Sequence, residues 1–263
     1  MRGDRDGSGG DLSRPSRPSR PTGFFADLHC HLLPGIDDGA RDIDDAVAMA
    51  RQAADDGIEA ICATPHIRSD HDVRIGELPE RIAELVAALA ERGVPVRVVP
   101  GGEVAEPVLD TIDDDELRAV ALGIGRWILL EPRPGPLSDH LLRGVDELAA
   151  RGFRSIVAHP ERHADAEIAS RLRRLTEGGA LVQTTADHLV RPETAPLILE
   201  LAEEGLIHLL GSDAHSSRVG RPVRLSPALE SLRALERIRP HLGWIAYDGP
   251  RAVLEGGEVR PPF

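Results

Sequence analysis

The chain has 263 residues, of which 41% are hydrophobic, enough for one large domain or two small ones with a sizeable core. Its formal net charge of −13 argues against nucleic acid as the main partner, because a phosphate backbone would be repelled. No apolar run reaches the roughly 18 residues of a membrane-spanning helix, so no membrane insertion is expected. All 31 basic residues are arginine, so any cationic phosphate ligand has to be arginine.

The first 22 residues are dominated by Arg, Ser, Pro, Gly and Asp and contain the repeat SRPSRPSRP. Such a segment buries too little apolar surface to fold. Residues 1–22 are therefore predicted to be a disordered tail ahead of a single domain at 23–263. The tail also lacks the apolar stretch of a secretory signal, which favours a cytoplasmic location.

From Phe24 onward, short apolar runs alternate with amphipathic helical patterns. Strands are predicted at GFFADLH, IEAICATPH, VRVVPGGEV, RWILLEP, SIVAHP, ALVQTTA and IHLLGSDAH. Helices are predicted at DIDDAVAMARQAADDG, LPERIAELVAALAERG, SDHLLRGVDELAARG, AEIASRLRRLTEGG and TAPLILELAEEG, several of which end in glycine.

This alternation of buried strands with helices indicates an α/β fold with a parallel sheet. Seven such units in about 240 residues predict a closed or nearly closed (β/α) barrel, with a doubly wound open sheet as the alternative. Near the C-terminus, YDGPRAVLEGG predicts a further helix with Asp248 as its N-cap and Pro250 in its first turn.

Polar side chains stand at the carboxyl ends of six of the seven predicted strands, which converge on one face in a (β/α) barrel. The candidate metal ligands are His29, His31, Asp38, His66, Glu103, Glu131, His159, Asp213 and His215. The sixth strand offers only Gln183, Thr184, Thr185 and Asp187. One histidine or carboxylate at a strand end has ordinary structural explanations, but recurrence on six strands indicates a metal centre.

Histidine, aspartate and glutamate without cysteine favour manganese, iron or zinc over a structural zinc site. Nine candidate ligands exceed one tetrahedral site and suit two or three metals with positions left for water and substrate. Divalent cations relieve the repulsion among crowded carboxylates, and they bind neutral imidazoles, so that crowded histidines need not all be protonated. Such clusters also generate hydroxide near neutral pH and hold a phosphoryl group between metals.

The HCH motif of the first strand divides its side chains between two faces. Residues two apart in a strand share a face, so His29 and His31 are predicted to point together. Cys30 then points the opposite way, into a packing layer, as a core residue and not as a ligand. The DDG loop is expected to bring Asp38 to a second metal position and to leave Asp37 in a supporting role.

The segment CATPHIR, from Cys62 to Arg68, has the C-x5-R spacing of cysteine-dependent tyrosine phosphatases. In those enzymes a thiolate of low pKa lies in a phosphate-binding loop before a helix N-terminus. Here Cys62 lies in an apolar strand, and no helix is predicted directly after Arg68. Because burial in apolar surroundings raises the pKa of a thiol, we disfavour a thiol mechanism.

The motifs HCH with DDG downstream, ATPH, GGE, LLE, AHPER and SDAH together resemble the polymerase and histidinol phosphatase (PHP) superfamily. More closely, DLHCHLLPGIDDGA followed by ATPH resembles the CpsB/CapC/YwqE-type bacterial protein-tyrosine phosphatases. This resemblance implies a distorted seven-stranded (β/α) barrel of the PHP type with a trinuclear, usually manganese-dependent centre. It also implies action on a tyrosine kinase that controls capsule or exopolysaccharide synthesis.

The resemblance also divides the nine candidate ligands among three metals. The first metal would be held by His29, His31 and Asp213, and the third by Asp38, His66 and His215. Glu103 would bridge the first metal to the second, which is completed by His159 and by either Glu131 or a water. The resemblance places Arg162, which follows HPE, beside the phosphate, together with a second arginine after SDAH, for which Arg221 is preferred to Arg218. His66 and His215 are secondary candidates for lending a proton to the reaction.

The resulting prediction is a metal-dependent phosphomonoesterase that acts on a phosphotyrosine protein such as a bacterial tyrosine kinase tail, with a metal-bound hydroxide attacking phosphorus. One alternative is the same site acting on histidinol phosphate or a nucleotide phosphate. Another is a catalytically silent metal-binding module that regulates polysaccharide assembly. The sequence leaves the oligomeric state open.

Overall fold

The computed structural model describes residues 25–263, so the tail predicted at 1–22 lies outside the described residues. The strands in this range are Ala26–Cys30 (β1), Ala60–Ala63 (β2), His66–Ile67 (β3), Arg97–Pro100 (β4), Glu103–Ala105 (β5), Trp127–Glu131 (β6), Arg154–Ala158 (β7), Leu181–Thr185 (β8) and Leu209–Gly211 (β9). The α-helices are Ile43–Asp56 (α1), Leu78–Glu91 (α2), Asp114–Val120 (α3), Asp139–Ala150 (α4), Ile168–Glu177 (α5), Ala195–Glu203 (α6), Ser226–Leu232 (α7) and Gly249–Leu254 (α8).

Every strand pair in the described chain is parallel, which confirms the α/β architecture predicted from the sequence. One sheet has the order β1–β2–β4 and the other has the order β3–β5–β6–β7–β8–β9. There are more strands than the seven predicted because the second and third predicted strands are interrupted, by Thr64–Pro65 and by Gly101–Gly102. Pro65 has no N–H to offer a neighbouring strand. Each interruption passes the chain from the first sheet to the second.

The first and last strands also meet, at the end where β1 leaves its sheet. The amide of Asp213 donates a hydrogen bond to the carbonyl of His29 at 2.7 Å, and the amide of His31 donates to the carbonyl of Ala214 at 3.0 Å. Cys30 and Ala214 form an isolated parallel bridge. The end of β1 therefore lies beside the segment that follows β9.

Alternate strand side chains divide between two hydrophobic clusters, as expected for parallel strands covered by helices. The inner cluster comprises Ala26, Leu28, Ala60, Cys62, Val99, Leu122, Trp127, Leu129, Ile156, Ala158, Leu181, Leu209, Val253 and Leu254. The outer cluster lies between strands and helices and includes Ile61, Val98, Ile128, Val157 and Val182. Two members of the inner cluster, Val253 and Leu254, come from α8, so the last helix contributes to the packing among the strands.

Strand β1 contains one residue more than the matching part of β2. Asp27 pairs with Ile61 and Cys30 pairs with Ala63, so three residues of β1 advance against two residues of β2 between these pairs. An extra residue of this kind reverses the alternation of side chains beyond it. Leu28 consequently belongs to the inner cluster and Cys30 to the outer one, while His29 and His31 turn toward the ends of the other strands.

The helices predicted from amphipathic patterns all form, as α1, α2, α4, α5 and α6. The side chain of Asp42 caps α1 by accepting a hydrogen bond from the amide of Asp45 at 2.8 Å. That helix ends at Gly57 in the left-handed conformation, with φ of 91°, which glycine adopts at little cost. Within residues 25–263, none of the helices is both long enough and apolar enough to cross a membrane.

Two features of the helices differ from the sequence predictions. The helices α3 and α7 were not predicted, although Asp113 and Glu116 form a capping box at the start of α3. Asp248 occupies the N-cap position of α8, as predicted, but its side chain makes no capping hydrogen bond. The backbone at Asp248 is already helical because a π-helical turn, Trp244–Asp248, leads directly into α8. Pro250 lies in the first turn, as predicted.

His208, just before β9, makes the fold sensitive to acid. Its side chain is buried, and Nδ1 accepts a hydrogen bond from the amide of Val182 at 3.0 Å, which requires that nitrogen to be unprotonated. Burial lowers the pKa of His208 to about 4. Because an unfolded histidine titrates near pH 6.5, its contribution to stability is complete above that pH and is lost as the pH falls toward 4.

We expect this one residue to lower the free energy of unfolding by about 2 kcal/mol between pH 7 and pH 5. Urea unfolding of the wild type and of His208→Gln at both pH values measures the effect. Glutamine keeps an acceptor for the Val182 amide but does not titrate, so the pH dependence should be smaller in the variant. An equal pH dependence in both proteins would contradict the assignment.

Candidate metal centre

The nine predicted ligands come together where β1, β2, β4, β6, β7 and β9 end, with His66 and Glu103 just past the breaks that follow β2 and β4. His29 and His31 lie on and directly after β1, Asp38 in the following loop, His66 and Glu103 at the starts of β3 and β5, Glu131 at the end of β6, His159 after β7, and Asp213 and His215 after β9. Six of them are buried; Glu131 and His215 are half-buried, and Asp38 is exposed. The convergence expected from a parallel α/β architecture is therefore present.

Glu103 lies at the centre of this group. Imidazole nitrogens surround its Oε2 atom at 3.2 Å from His29, 3.3 Å from His31 and 3.1 Å from His66, and the imidazole of His159 lies 2.8 Å from Oε1. Oε2 is buried and accepts no hydrogen bond from the described residues. Buried carboxylate oxygens are otherwise almost always hydrogen-bonded or bound to a metal. This oxygen is therefore placed to bind a cation shared with the imidazoles.

The donor atoms fall into four groups, each with its atoms within 4.8 Å of one another. The groups are His31, Asp38, His66 and His215; His29, His159 and Asp213; His29, His31 and Glu103; and His66, Glu103 and Glu131. Every predicted ligand belongs to at least one group, and the nitrogen and oxygen donors suit more than one divalent metal. Two of the sets implied by the family resemblance are compatible with this geometry: Asp38, His66 and His215 fall in one group, and donor atoms of His29, His31 and Asp213 lie within 3.7 Å of one another. The implied second set is divided, because His159 groups with Asp213 and Glu131 groups with His66.

Two side chains outside the ligand set orient the HCH histidines. The Nδ1 atom of His31 donates to the carboxylate of Asp37 at 2.9 Å, and the Nδ1 atom of His29 donates to the amide oxygen of Gln183 at 3.0 Å. Each imidazole is thereby turned so that Nε2 faces the centre, and the two Nε2 atoms lie 3.3 Å apart. The supporting role predicted for Asp37 agrees with this arrangement, whereas the role of Gln183 was not foreseen.

The backbone is strained at two of the ligands. His159 has φ of 32° and Asp213 has φ of 49°, and they are the non-glycine residues with positive φ among residues 25–263. A side chain in this conformation costs on the order of 1–3 kcal/mol, which the surrounding structure has to offset. His159 follows β7 directly and Asp213 follows β9 after one residue, so the left-handed backbone turns both side chains toward the centre.

The glycine of the DDG motif is required by a close approach. A Cβ atom at Gly39 would lie 2.3 Å from the carbonyl oxygen of His31 and 2.5 Å from its Cβ. The loop is held there because the amide of Ala40 donates to the same carbonyl at 3.0 Å. Only glycine lets the loop that carries Asp38 pass so close to His31.

The buried carboxylates attract positive charge into the centre. Burial alone would lower the pKa of His31, but hydrogen bonds to Asp37 and Glu103 raise it to about 9. A metal ion can displace a proton from this imidazole, because both bind its nitrogen and both are attracted by the carboxylates. The opposite holds at His215, where burial and the charge of His31 lower the pKa to about 2, so that its imidazole is neutral at pH 7 and can act as a ligand.

A cavity of about 630 Å³ opens above the ligands. Its lining includes the ligands Asp38, His66, Glu131 and His215 and the arginines Arg41, Arg68, Arg162, Arg218 and Arg221. The predicted ligands form the floor of the cavity, and five guanidinium groups surround the space above it. In a chain with a net charge of −13, this concentration of arginine marks a site for an anion.

Three of these arginines are paired with acidic ligands. Arg162 and Arg221 both contact the carboxylate of Asp213, the latter at 3.0 Å, and Arg221 also donates to the Asp213 carbonyl at 2.6 Å. Arg68 lies 3.1 Å from the carboxylate of Glu131. Both arginines that were preferred from the motifs thus reach the cavity. Arg68 was not singled out as a site residue from the sequence, because its partner Glu131 is 63 residues away along the chain. Its place directly after ATPH is the local signal that could have indicated it.

The thiol of Cys62 is remote from this cavity. Its side chain belongs to the inner cluster, and its Sγ atom donates to the carbonyl of Pro100 at 3.1 Å. Burial raises the pKa of this thiol far above neutral pH. An apolar, fully buried thiol cannot serve as a nucleophile, so the C-x5-R spacing from Cys62 to Arg68 has no catalytic meaning.

Comparison with known proteins agrees with this geometry. Residues 25–238 match the family model described as capsular polysaccharide synthesis, CpsB/CapC. The tyrosine-protein phosphatase YwqE of Bacillus subtilis (strain 168) is 33% identical over 201 residues, which cover 72% of this chain and 77% of YwqE. The putative tyrosine-protein phosphatase CapC of Staphylococcus aureus is 28% identical over 199 residues, which cover 73% of this chain and 77% of CapC.

Solved structures give the same relationship. A structure from the work on YwqE of Bacillus subtilis and CpsB of Streptococcus pneumoniae, described as unique metal-dependent tyrosine phosphatases, superposes with a TM-score of 0.77 at 28% identity and covers 90% of this chain and 96% of the other. The phosphotriesterase from Mycobacterium tuberculosis, with a TM-score of 0.57 at 15% identity and coverage of 89% and 95%, shares the fold only. The family expected from the motifs is confirmed, and the chain belongs to the CpsB/CapC family of capsular polysaccharide synthesis.

Proposed function

We propose that this chain is a metal-dependent protein-tyrosine phosphatase of capsule or exopolysaccharide synthesis. The observation that carries the proposal is the buried Glu103 carboxylate, which faces four imidazoles below a cavity lined with arginine. Such a centre suits a phosphate ester, because it combines sites for cations with guanidinium donors for the phosphoryl oxygens. The relatives YwqE and CpsB are named tyrosine-protein phosphatases.

The nine ligands described above would hold two or three divalent metals. We propose manganese, with iron or zinc as alternatives, because the donors are imidazole and carboxylate without thiolate. When bound, these metals would lower the pKa of water and neutralise charge on the phosphate. The chain itself contributes the orientation of His29 and His31 through Gln183 and Asp37, and the backbone conformation that aims His159 at the centre.

Arg162 and Arg221 are the proposed phosphate-binding residues. Arg221 is half-buried and Arg162 is exposed; both line the cavity and both are held in position by Asp213. A phosphate dianion would give each guanidinium a second anionic partner, with paired N–H donors available to the oxygens. The tyrosinate leaving group has a pKa near 10, so it needs little help from a general acid. We therefore propose that His66 and His215 act as metal ligands and not primarily as proton donors to the leaving group.

The remaining parts of the proposal concern context. We infer that the two sheets form one distorted seven-stranded barrel within a single domain at 23–263, supported by the contacts between β1 and the segment after β9. We propose the tail of a bacterial tyrosine kinase as substrate and the cytoplasm as location. The match to a family named for capsular polysaccharide synthesis supports this context.

The proposal is tested by comparing initial rates on a phosphotyrosine peptide, a phosphoserine peptide, histidinol phosphate, a nucleoside monophosphate and p-nitrophenyl phosphate. We expect kcat/KM for phosphotyrosine to exceed that for phosphoserine at least about tenfold, since an alkoxide is the poorer leaving group. Preference for histidinol phosphate or the nucleotide would identify a metabolite phosphatase. No hydrolysis of any ester would indicate a silent regulatory module.

Metal dependence is tested in parallel with the thiol. Treatment with EDTA should abolish hydrolysis of p-nitrophenyl phosphate in both the wild type and Cys62→Ser, and Mn²⁺ should restore it in both, because Cys62 lies in the inner cluster. An inactive, folded Cys62→Ser variant, or a wild type that keeps its activity after complete metal removal, would sink the metal mechanism.

The orienting role of Gln183 is tested through metal binding. In Gln183→Leu the Nδ1 atom of His29 loses its acceptor, so the affinity for Mn²⁺ should fall about 10–100-fold. Gln183→Glu keeps an acceptor at the same position and should bind Mn²⁺ much better than the leucine variant. Titration with Mn²⁺ followed by metal analysis measures both. Equal affinity in wild type and Gln183→Leu would show that Gln183 does not orient the ligand.

A further inference from the structure

The five arginines around the cavity differ in how well their charge is already compensated. Arg162 and Arg221 contact Asp213, and Arg68 contacts both Asp70 and Glu131. These three guanidinium groups lie against acidic partners. The remaining two, Arg41 and Arg218, are exposed at the mouth of the cavity and have a different environment.

Arg218 has no compensating charge within residues 25–263. Only its backbone amide is bonded, to the hydroxyl of Ser216 at 3.2 Å, and its guanidinium has neither a hydrogen bond nor an ion pair there. The neighbouring Val219 is 76% exposed and also lines the cavity. A free cation beside an exposed apolar side chain, at the mouth of an anion site, is an unusual surface on a chain with a net charge of −13.

Arg41 is nearly free as well. Its Nε atom lies 3.8 Å from the Asp45 carboxylate, beyond hydrogen-bond distance, and its side chain is 60% exposed. The Asp45 carboxylate is instead occupied by the amide and hydroxyl of Ser217, at 3.0 Å and 2.5 Å. The guanidinium of Arg41 thus keeps its donors available for another anion.

The same Asp45 fixes the two arginines relative to each other. Asp45 lies in the first turn of α1, shortly after the DDG loop and Arg41. Its carboxylate accepts hydrogen bonds from the hydroxyl groups of Ser216 and Ser217, in the loop that carries Arg218. Gln52 of the same helix holds this loop as well, by donating to the Ser217 carbonyl at 2.9 Å. The segments that carry Arg41 and Arg218 are therefore joined by buried or half-buried contacts and not left as independent mobile loops.

We propose that Arg41 and Arg218 form a cationic rim that binds acidic side chains on either side of the phosphotyrosine in the substrate. This inference rests on the proposed function and names the substrate class: a peptide with aspartate or glutamate near the phosphorylated tyrosine. The inner arginines are occupied by ligand carboxylates and serve the phosphate, whereas the rim arginines have unused donors facing the approach path. Arg162 and Arg221 would thus bind the group that reacts, and the rim would select its sequence context.

The test uses three peptides with one phosphotyrosine each, flanked by glutamate, by glutamine or by arginine, and the full chain in Mn²⁺ buffer. We expect kcat/KM to be about three- to tenfold higher for the glutamate peptide than for the glutamine peptide, chiefly through a lower KM, and lowest for the arginine peptide. Because the rim is exposed, this preference should shrink as the salt concentration rises.

The double variant Arg41→Gln/Arg218→Gln should lose the ratio between the glutamate and glutamine peptides. A matched control, Arg51→Gln/Arg224→Gln, removes two exposed arginines that do not line the cavity, and it should keep the ratio of the wild type. If the wild type hydrolyses all three peptides equally, or if the rim variant keeps the preference, the rim proposal is overturned while the phosphatase assignment stands. If no peptide is hydrolysed, the proposed function fails and the rim proposal fails with it.

Discussion

The structure depends on one buried carboxylate. Glu103 sits in the interior with an oxygen that accepts no hydrogen bond from the described residues. Three imidazole nitrogens, from His29 and His31 at the end of β1 and from His66 in β3, lie 3.1–3.3 Å from that oxygen. An isolated carboxylate in such a place would be protonated or would have to be solvated. The surrounding histidines make the anionic form acceptable, and they do so because the parallel strands end at one level. The two hydrophobic clusters that position those strands therefore determine the electrostatics of the centre.

Local departures from regular structure serve this arrangement. The extra residue in β1 lets Leu28 stay in the inner cluster while His29 and His31 turn to the centre. The left-handed backbone at His159 and Asp213 does the same at the ends of β7 and β9. Each irregularity costs free energy locally, and the neighbouring strands and helices offset that cost by holding the chain on both sides.

Much of this could be predicted from the sequence. The alternation of apolar runs with amphipathic patterns was sufficient to predict the α/β class and five of the helices. The alternation of side chains within HCH was sufficient to predict that Cys30 points away from the two histidines. The breaks at Thr64–Pro65 and Gly101–Gly102 were not foreseen, although proline and paired glycines are local signals of a strand interruption. The contacts of Arg68 with Glu131 and of Gln183 with His29 join positions 63 and 154 residues apart. Such contacts depend on how strands assemble and leave no local pattern.

The packing of α8 bears on where the folding unit ends. The family match stops at residue 238, yet Val253 and Leu254 lie in the inner cluster and the Leu254 carbonyl accepts a hydrogen bond from the amide of Ile124 at 3.0 Å. Gly123 and Gly125 allow this, since a Cβ atom at either would lie within 2.8 Å of the α8 backbone. The last helix therefore packs into the inner cluster, although it lies beyond the residues that match the family. The packed core beneath the centre extends past the region by which the family is recognised, and it includes residues far from any predicted ligand.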